Sequence, residues 1–177
     1  INDSALQFWL DGQDSTLKSP NENLGRELME LFVLGVDRYT EDDVKGAARA
    51  LTGYQVVNYE GTTTFNPKRH DPNPITILGT TQPFTGEQLS DFLVAREDCS
   101  TFIAERLWYR FISSTETMPT SFGAKKAFAT RDISSAVKAM VQDPAVGDAK
   151  NDLVKSPVEW FIAACRALEL TPSNLKT

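Results

Sequence analysis

Histidine and cysteine are nearly absent from this chain: one histidine and two cysteines stand among 177 residues. A structural zinc site takes four nitrogen or sulfur ligands at characteristic spacings, and His70, Cys99 and Cys165 do not supply that set. The two thiols, far apart and at apolar positions of expected helices, leave open one long-range disulfide or two free thiols. Basic residues are also short, with 18 Lys and Arg against 24 Asp and Glu and a net charge of -6. That balance argues against non-specific nucleic-acid binding, which needs a basic footprint. Long apolar runs are missing too. The stretches 28–36 and 160–170 fall short of the roughly 20 residues that cross a bilayer, or are broken by charge. Neither a G-x-S-x-G elbow nor a P-loop occurs, and neither cysteine has a histidine nearby in sequence. Ile1-Asn2-Asp3-Ser4 is neither a start methionine nor a basic leader, so a fragment or processed product of a longer protein is expected.

What is present is ordinary for a globular protein: 41% hydrophobic and 24% charged residues in a length that suits one domain, here 1–177. Helical periodicity dominates. Helices are expected over 4–10, from a cap at Ser19 or Asn21 to Gly35, and from the cap Thr40-Glu41-Asp42-Asp43 to Gly53. The third carries Val44, Ala47, Ala48 and Leu51 as a 3.6-period stripe. Between 54 and 84 the period changes to two. Residues 54–59 and 62–65 read as a hairpin around Glu60-Gly61, a three-proline loop spans 66–74, and 75–79 reads as a further strand. Helix then returns over 88–95 behind the capping box Thr85 to Gln88, from a cap at Asp98 to Ile112, over 124–129, and over 133–141 behind Asp132. Ser156-Pro157-Val158-Glu159 opens a last helix over 158–168. The fold class that follows is mainly α: a multi-helix orthogonal bundle with a small β-hairpin insert around 54–79.

Residues 21–35 pack three glutamates, an arginine and two asparagines into one apolar helix. With Tyr39-Thr40-Glu41 and Ala47-Ala48-Arg49-Ala50-Leu51-Thr52-Gly53, this segment resembles the bacterial family catalogued as domain of unknown function 1800. Arg69-His70-Asp71 before Ile77-Leu78-Gly79, Phe102-Ile103-Ala104 with Leu107-Trp108, and Lys155-Ser156-Pro157-Val158-Glu159-Trp160 agree with it in order. The resemblance implies a mostly helical, exported bacterial protein, secreted or periplasmic, often partnered by another uncharacterised exported protein. It carries over no catalytic residue. Family members look longer, with helices before this chain and a proline-, glycine- and tryptophan-rich segment after it.

On a helical wheel Leu24, Leu28, Leu31, Phe32 and Gly35 share the core face, widened by Met29 and Val36. Asn23, Glu27, Glu30 and Leu34 line another stripe, so Glu27 and Glu30 project side by side. Two neighbouring carboxylates can share a proton or bind a divalent cation. The competing reading is structural: Arg26 pairs with Glu22 and Glu30 four residues away, Arg49 satisfies Glu27, and Asn21 or Asn23 caps. His70-Asp71, in a proline-fixed loop, is the second candidate, as proton carrier, as metal ligand, or as a loop anchor bonded to carbonyls. If that loop covers the glutamate helix, Glu27, Glu30, His70 and Asp71 form one oxygen–nitrogen site. Trp108, Tyr109 and Phe111 read as core, and Tyr54, Tyr59 and Phe65 as a stacking surface.

Two functions stand against each other. The first is a non-catalytic scaffold or binding module whose polar helix is a structural network of Asn23, Arg26 and Arg49. The alternative is a hydrolase-type enzyme acting through Glu27 or Glu30 with His70 and Asp71, with or without a divalent metal. The single histidine and missing nucleophile motifs favour the first.

Overall fold

The computed structural model describes residues 1–57 and 61–171. Among them the helices are α1 (Ser4–Trp9), α2 (Glu22–Glu27), α3 (Glu41–Ala50), α4 (Gly86–Ala95), α5 (Glu97–Phe111), α6 (Gly123–Phe128), α7 (Ile133–Val141) and α8 (Pro157–Ala167). A 3-10 turn occupies Gly12–Asp14 and a π-helix Leu28–Val33. Strands β1 (Tyr54–Val57) and β2 (Thr62–Phe65) pair antiparallel, as do β3 (Ile75–Ile77) and β4 (Thr80–Gln82). The architecture is mainly helical with two small two-stranded sheets. Asn58, Tyr59 and Glu60, expected as strand end and turn, lie outside the described residues.

The described residues group into two compact units: Ile1–Ile103 with Ala129–Arg131, and Ala104–Phe128 with 132–171. In the first unit α3 packs against α2, β3 and α4. Its stripe Val44, Ala47, Ala48 and Leu51 is fully buried, as the period requires. Thr40 and Asp43 close a capping box at its start. Asp43 reaches further: its Oδ1 accepts the Leu78 N–H at 2.6 Å. That bond holds Leu78 at φ 49, and with Gly79 at φ 80 it forms the tight turn from β3 to β4. Residues 78 and 79 are therefore turn, not strand as expected. Strand β4 was not anticipated, because Thr80-Thr81-Gln82 has no apolar alternation.

The glutamate helix departs from expectation at its middle. Asn21 caps it, as the sequence suggests, but α-geometry ends at Glu27 and π-geometry follows. The N–H groups of Leu34 and Gly35 both donate to the Met29 carbonyl, at 2.7 and 3.1 Å. A π-turn spreads each turn over more residues, so the buried face slips by one position. Leu24, Leu28, Met29, Val33 and Leu34 are buried, whereas Leu31, Phe32 and Val36 are exposed. Gly35 (φ 88) then lies under the Phe102 ring: a Cβ there would meet Phe102 Cδ2 at 2.9 Å. The segment stops where only glycine fits.

In the second unit α5, α6 and α7 enclose Ala104, Trp108, Ile112, Phe122, Ala124 and Met140, with Trp108 and Phe122 edge to face at 5.3 Å. The Trp108 indole N–H donates to the Glu116 carbonyl at 2.7 Å. Tyr109 and Phe111, expected as core, point outward, because Trp108 and Ile112 already fix which face of α5 is inside. Asp98 is not a cap; α5 begins at Glu97, and Asp98 instead accepts from Arg96. Helix α8 opens with the expected Ser156/Glu159 capping box, yet none of its residues is buried, and Trp160 is 65% exposed. Cys99 and Cys165 are free thiols. Burial pushes the Cys99 thiol up against the opposing charge of Arg131. No described helix is long and apolar enough to cross a membrane.

Candidate functional site

The end of α3 and the proline-bounded loop 66–74 build a densely bonded polar cluster of the first unit. Gly53 (φ 97) turns the chain out of the helix, and a Cβ there would press on the Asn66 carbonyl and on His70, both at 3.0 Å. This close approach lets Thr52 face the loop. Fully buried, Thr52 uses its hydroxyl twice: Oγ1 donates to the Arg49 carbonyl at 2.7 Å and accepts the Asp71 N–H at 2.9 Å. His70 Nδ1 lies 3.1 Å from the Thr52 carbonyl and 3.2 Å from Oγ1. A carbonyl only accepts, and the Thr52 proton is already placed, so Nδ1 carries the hydrogen. The His70 ring stands edge-on to Phe65, with centroids 5.3 Å apart.

Asp71 completes the cluster. Its Oδ2 accepts the Arg49 Nε–H at 2.6 Å, and Oδ1 accepts both the N–H and the side-chain amide of Asn73, at 3.1 and 2.7 Å. Burial raises the Asp71 carboxyl, but the Arg49 and Asn73 bonds and the Arg49 charge outweigh it, and the pKa falls below the usual aspartate range. Arg49 therefore pairs with Asp71 and not with Glu27, as the sequence suggested. Asp71 offers the Nε–H a buried, already hydrogen-bonded carboxylate, which Glu27 does not.

The other candidates lie on the glutamate helix. Arg26 forks onto Glu41 with Nη1 and Nη2 at 2.8 and 2.7 Å, and Glu22 stands 3.7 Å away. The expected Arg26–Glu30 pair does not form, because Glu30 accepts the Tyr39 hydroxyl at 2.6 Å. Burial, then this bond to a carboxylate, pushes the Tyr39 phenol up to about 12. Asn23 donates weakly to the Leu10 carbonyl at 3.4 Å, while Asn21 makes the cap. Glu27 is half-buried.

The structure thus joins His70 with Asp71 and Arg49, and puts Glu30 in a separate pair with Tyr39. Among the described residues no group of three or more His, Cys, Asp and Glu side chains gathers so as to hold a metal ion. Sequence reasoning missed Tyr39, Glu41 and Thr52. Thr52 had one usable signal: a hydroxyl just before the glycine that ends a helix faces whatever segment follows. Of the suggested stacking surface, Tyr54 is buried, Phe65 is exposed 5.3 Å from it, and Tyr59 lies outside the described residues.

These features define a mainly helical protein with two hairpins and a polar cluster in which buried Thr52, His70 and Asp71 meet the half-buried Arg49. The sequence profile of the family described as Protein of unknown function (DUF1800) matches residues 1–177, and the chain belongs to that family. No curated protein and no solved structure matches it.

Proposed function

We propose that the chain is a non-catalytic binding module or scaffold of an exported bacterial protein. One observation carries the reading: Arg49, Thr52, His70 and Asp71 bond to one another and to backbone. Together they pin loop 66–74 to the end of α3. A general base works best with a pKa near the working pH and a free lone pair. Asp71 has the opposite character, with three hydrogen bonds and a lowered pKa. Exposed apolar side chains on α8, Val158, Trp160, Phe161 and Ile162, favour partner binding in the same direction.

The test removes the lock. Asp71→Asn is expected to cost about 2 kcal/mol, below the range of about 3–5 kcal/mol for fully buried pairs. The discount follows from Arg49, whose side chain is 36% exposed. Thermal unfolding reads this as a Tm lowered by several degrees. Protein purified without chelator is expected to melt at the same temperature before and after EDTA. A stoichiometric metal whose removal lowers Tm would overturn the reading in favour of the hydrolase-type alternative.

A further inference from the structure

In the first unit the start of α4 and the β1–β2 hairpin enclose a small pocket. Its volume is about 140 Å³, and Asn2, Tyr54, Phe65, Thr85 and Glu87 line it. Two aromatic rings form its apolar part. Tyr54 and Phe65 are cross-strand partners, with centroids 5.3 Å apart and planes tilted by 55°. Phe65 is 42% exposed and Tyr54 only 4%, so Phe65 is the open wall and Tyr54 the inner end. Glycine at 86 leaves room for the phenol: a Cβ there would lie 2.6 Å from the Tyr54 oxygen and 2.8 Å from a ring carbon. The Tyr54 oxygen in turn accepts the Glu87 N–H.

Charge in the lining has one sign. Glu87 is its sole charged side chain, it is exposed, and among the described residues no hydrogen bond or ion pair engages its carboxylate. Its charge reaches the inner end, since it adds to burial in raising the Tyr54 phenol. An anion would meet Glu87 opposing it and the backbone donors of the helix start already used. The N–H groups of Thr85 and Gln88 are taken by the capping box, and that of Glu87 by Tyr54. A cation meets a free carboxylate and aromatic rings. Size narrows the choice further: drug-sized ligands need roughly 300 Å³ or more, so only a small group or the head of a longer one enters. A primary ammonium brings three N–H donors, and Glu87 and Asn2 are the side-chain acceptors not already engaged. An ammonium carrying methyl groups has fewer donors to satisfy, and its methyls carry the charge against the rings.

We propose that this pocket binds a methylated ammonium group, whose positive head meets Glu87 and Phe65 while Tyr54 closes the inner end. The proposal gives the binding module a ligand class and rests on that reading.

The test titrates the isotope-labelled full chain with three small molecules. They are choline, ethanolamine, which lacks the methyl groups, and dimethylbutanol, in which a carbon replaces the charged nitrogen. Choline is expected to move the Gly86 and Glu87 amide signals and the Phe65 ring signals, and to bind at least tenfold more tightly than the other two. Glu87→Gln, a change at an exposed position, is expected to weaken choline several-fold with the circular dichroism spectrum unchanged. Acetylated trimethyllysine amide, titrated beside choline, tells by the tighter binding whether the group arrives on a protein side chain or on a free small molecule. Three outcomes overturn the proposal: unmoved Gly86, Glu87 and Phe65 signals, equal binding of dimethylbutanol or ethanolamine, or undiminished choline binding by folded Glu87→Gln. The functional reading is tested by Tm with and without EDTA, so its failure is distinguishable from failure here.

Discussion

At the scale of the residue, Asp71 and Tyr39 of the first unit titrate at opposite ends of the pH range. Asp71 has a folded pKa below its unfolded one, so its stabilisation is complete at neutral pH. It is lost as pH falls from about 3.9, the ordinary aspartate value, through the folded value. The difference in Tm between the native chain and Asp71→Asn is therefore expected to shrink on acidification, and a constant gap from pH 6 to pH 2.5 would remove Asp71 from the account. Tyr39 behaves in reverse. Its phenol is raised to about 12, so the protonated form is favoured in the fold, and its contribution holds below about pH 10 and disappears as pH rises through 12. Tyr39→Phe is expected to abolish one late step in the tyrosinate absorbance titration and to narrow its Tm gap to the native chain between pH 10 and 12. Neither group was legible as a pair. Arg49 and Asp71 are 22 residues apart, and an arginine in a chain with 24 acids has too many partners on paper.

At the scale of the element, local signals read well and tertiary ones did not. The capping boxes at Thr40, Thr85 and Ser156 and the cap at Asp132 appear where the sequence places them, because a cap is decided within four residues. The π-segment is different. The Met29 carbonyl bonds Leu34 and Gly35 rather than Val33, at a place where Phe102 packs on Gly35, a tertiary contact that no helical wheel contains. Close packing of α2 on α3 gives the next prediction. Helix propensity alone would make Gly25→Ala stabilising by about 1 kcal/mol. The added Cβ, however, would lie 3.0 Å from the Ala48 backbone nitrogen and 3.2 Å from Ala47 Cβ. Neither atom can swing aside, so overpacking of about 1–3 kcal/mol wins. Chemical denaturation is expected to show a net loss; a more stable variant would mean that α2 and α3 are not so closely fitted.

At the scale of the whole molecule, the family was more legible than the function. The profile match covers both compact units, while His70 and Asp71, two of the side chains that suggested chemistry, hold loop 66–74 to the end of α3, and Glu30 pairs with Tyr39. The mainly helical class followed from periodicity. The division into two units did not, because α5 runs through the boundary without a break in its pattern. The π-segment has a further consequence, in the currency of insertion and deletion. Six residues do there what an α-helix would do with five, so the chain carries one residue that its topology can spare. Removing exposed Leu31 would bring Val33 and Leu34 into α-spacing with Leu28 and Met29. We expect the 31-deleted chain to keep its cooperative melt with Tm within a few degrees, whereas deleting Ala47 from α3 abolishes it. Equal damage from the two deletions would contradict this slack. If it holds, chains that differ by one residue at this helix can still share one architecture on either side of it.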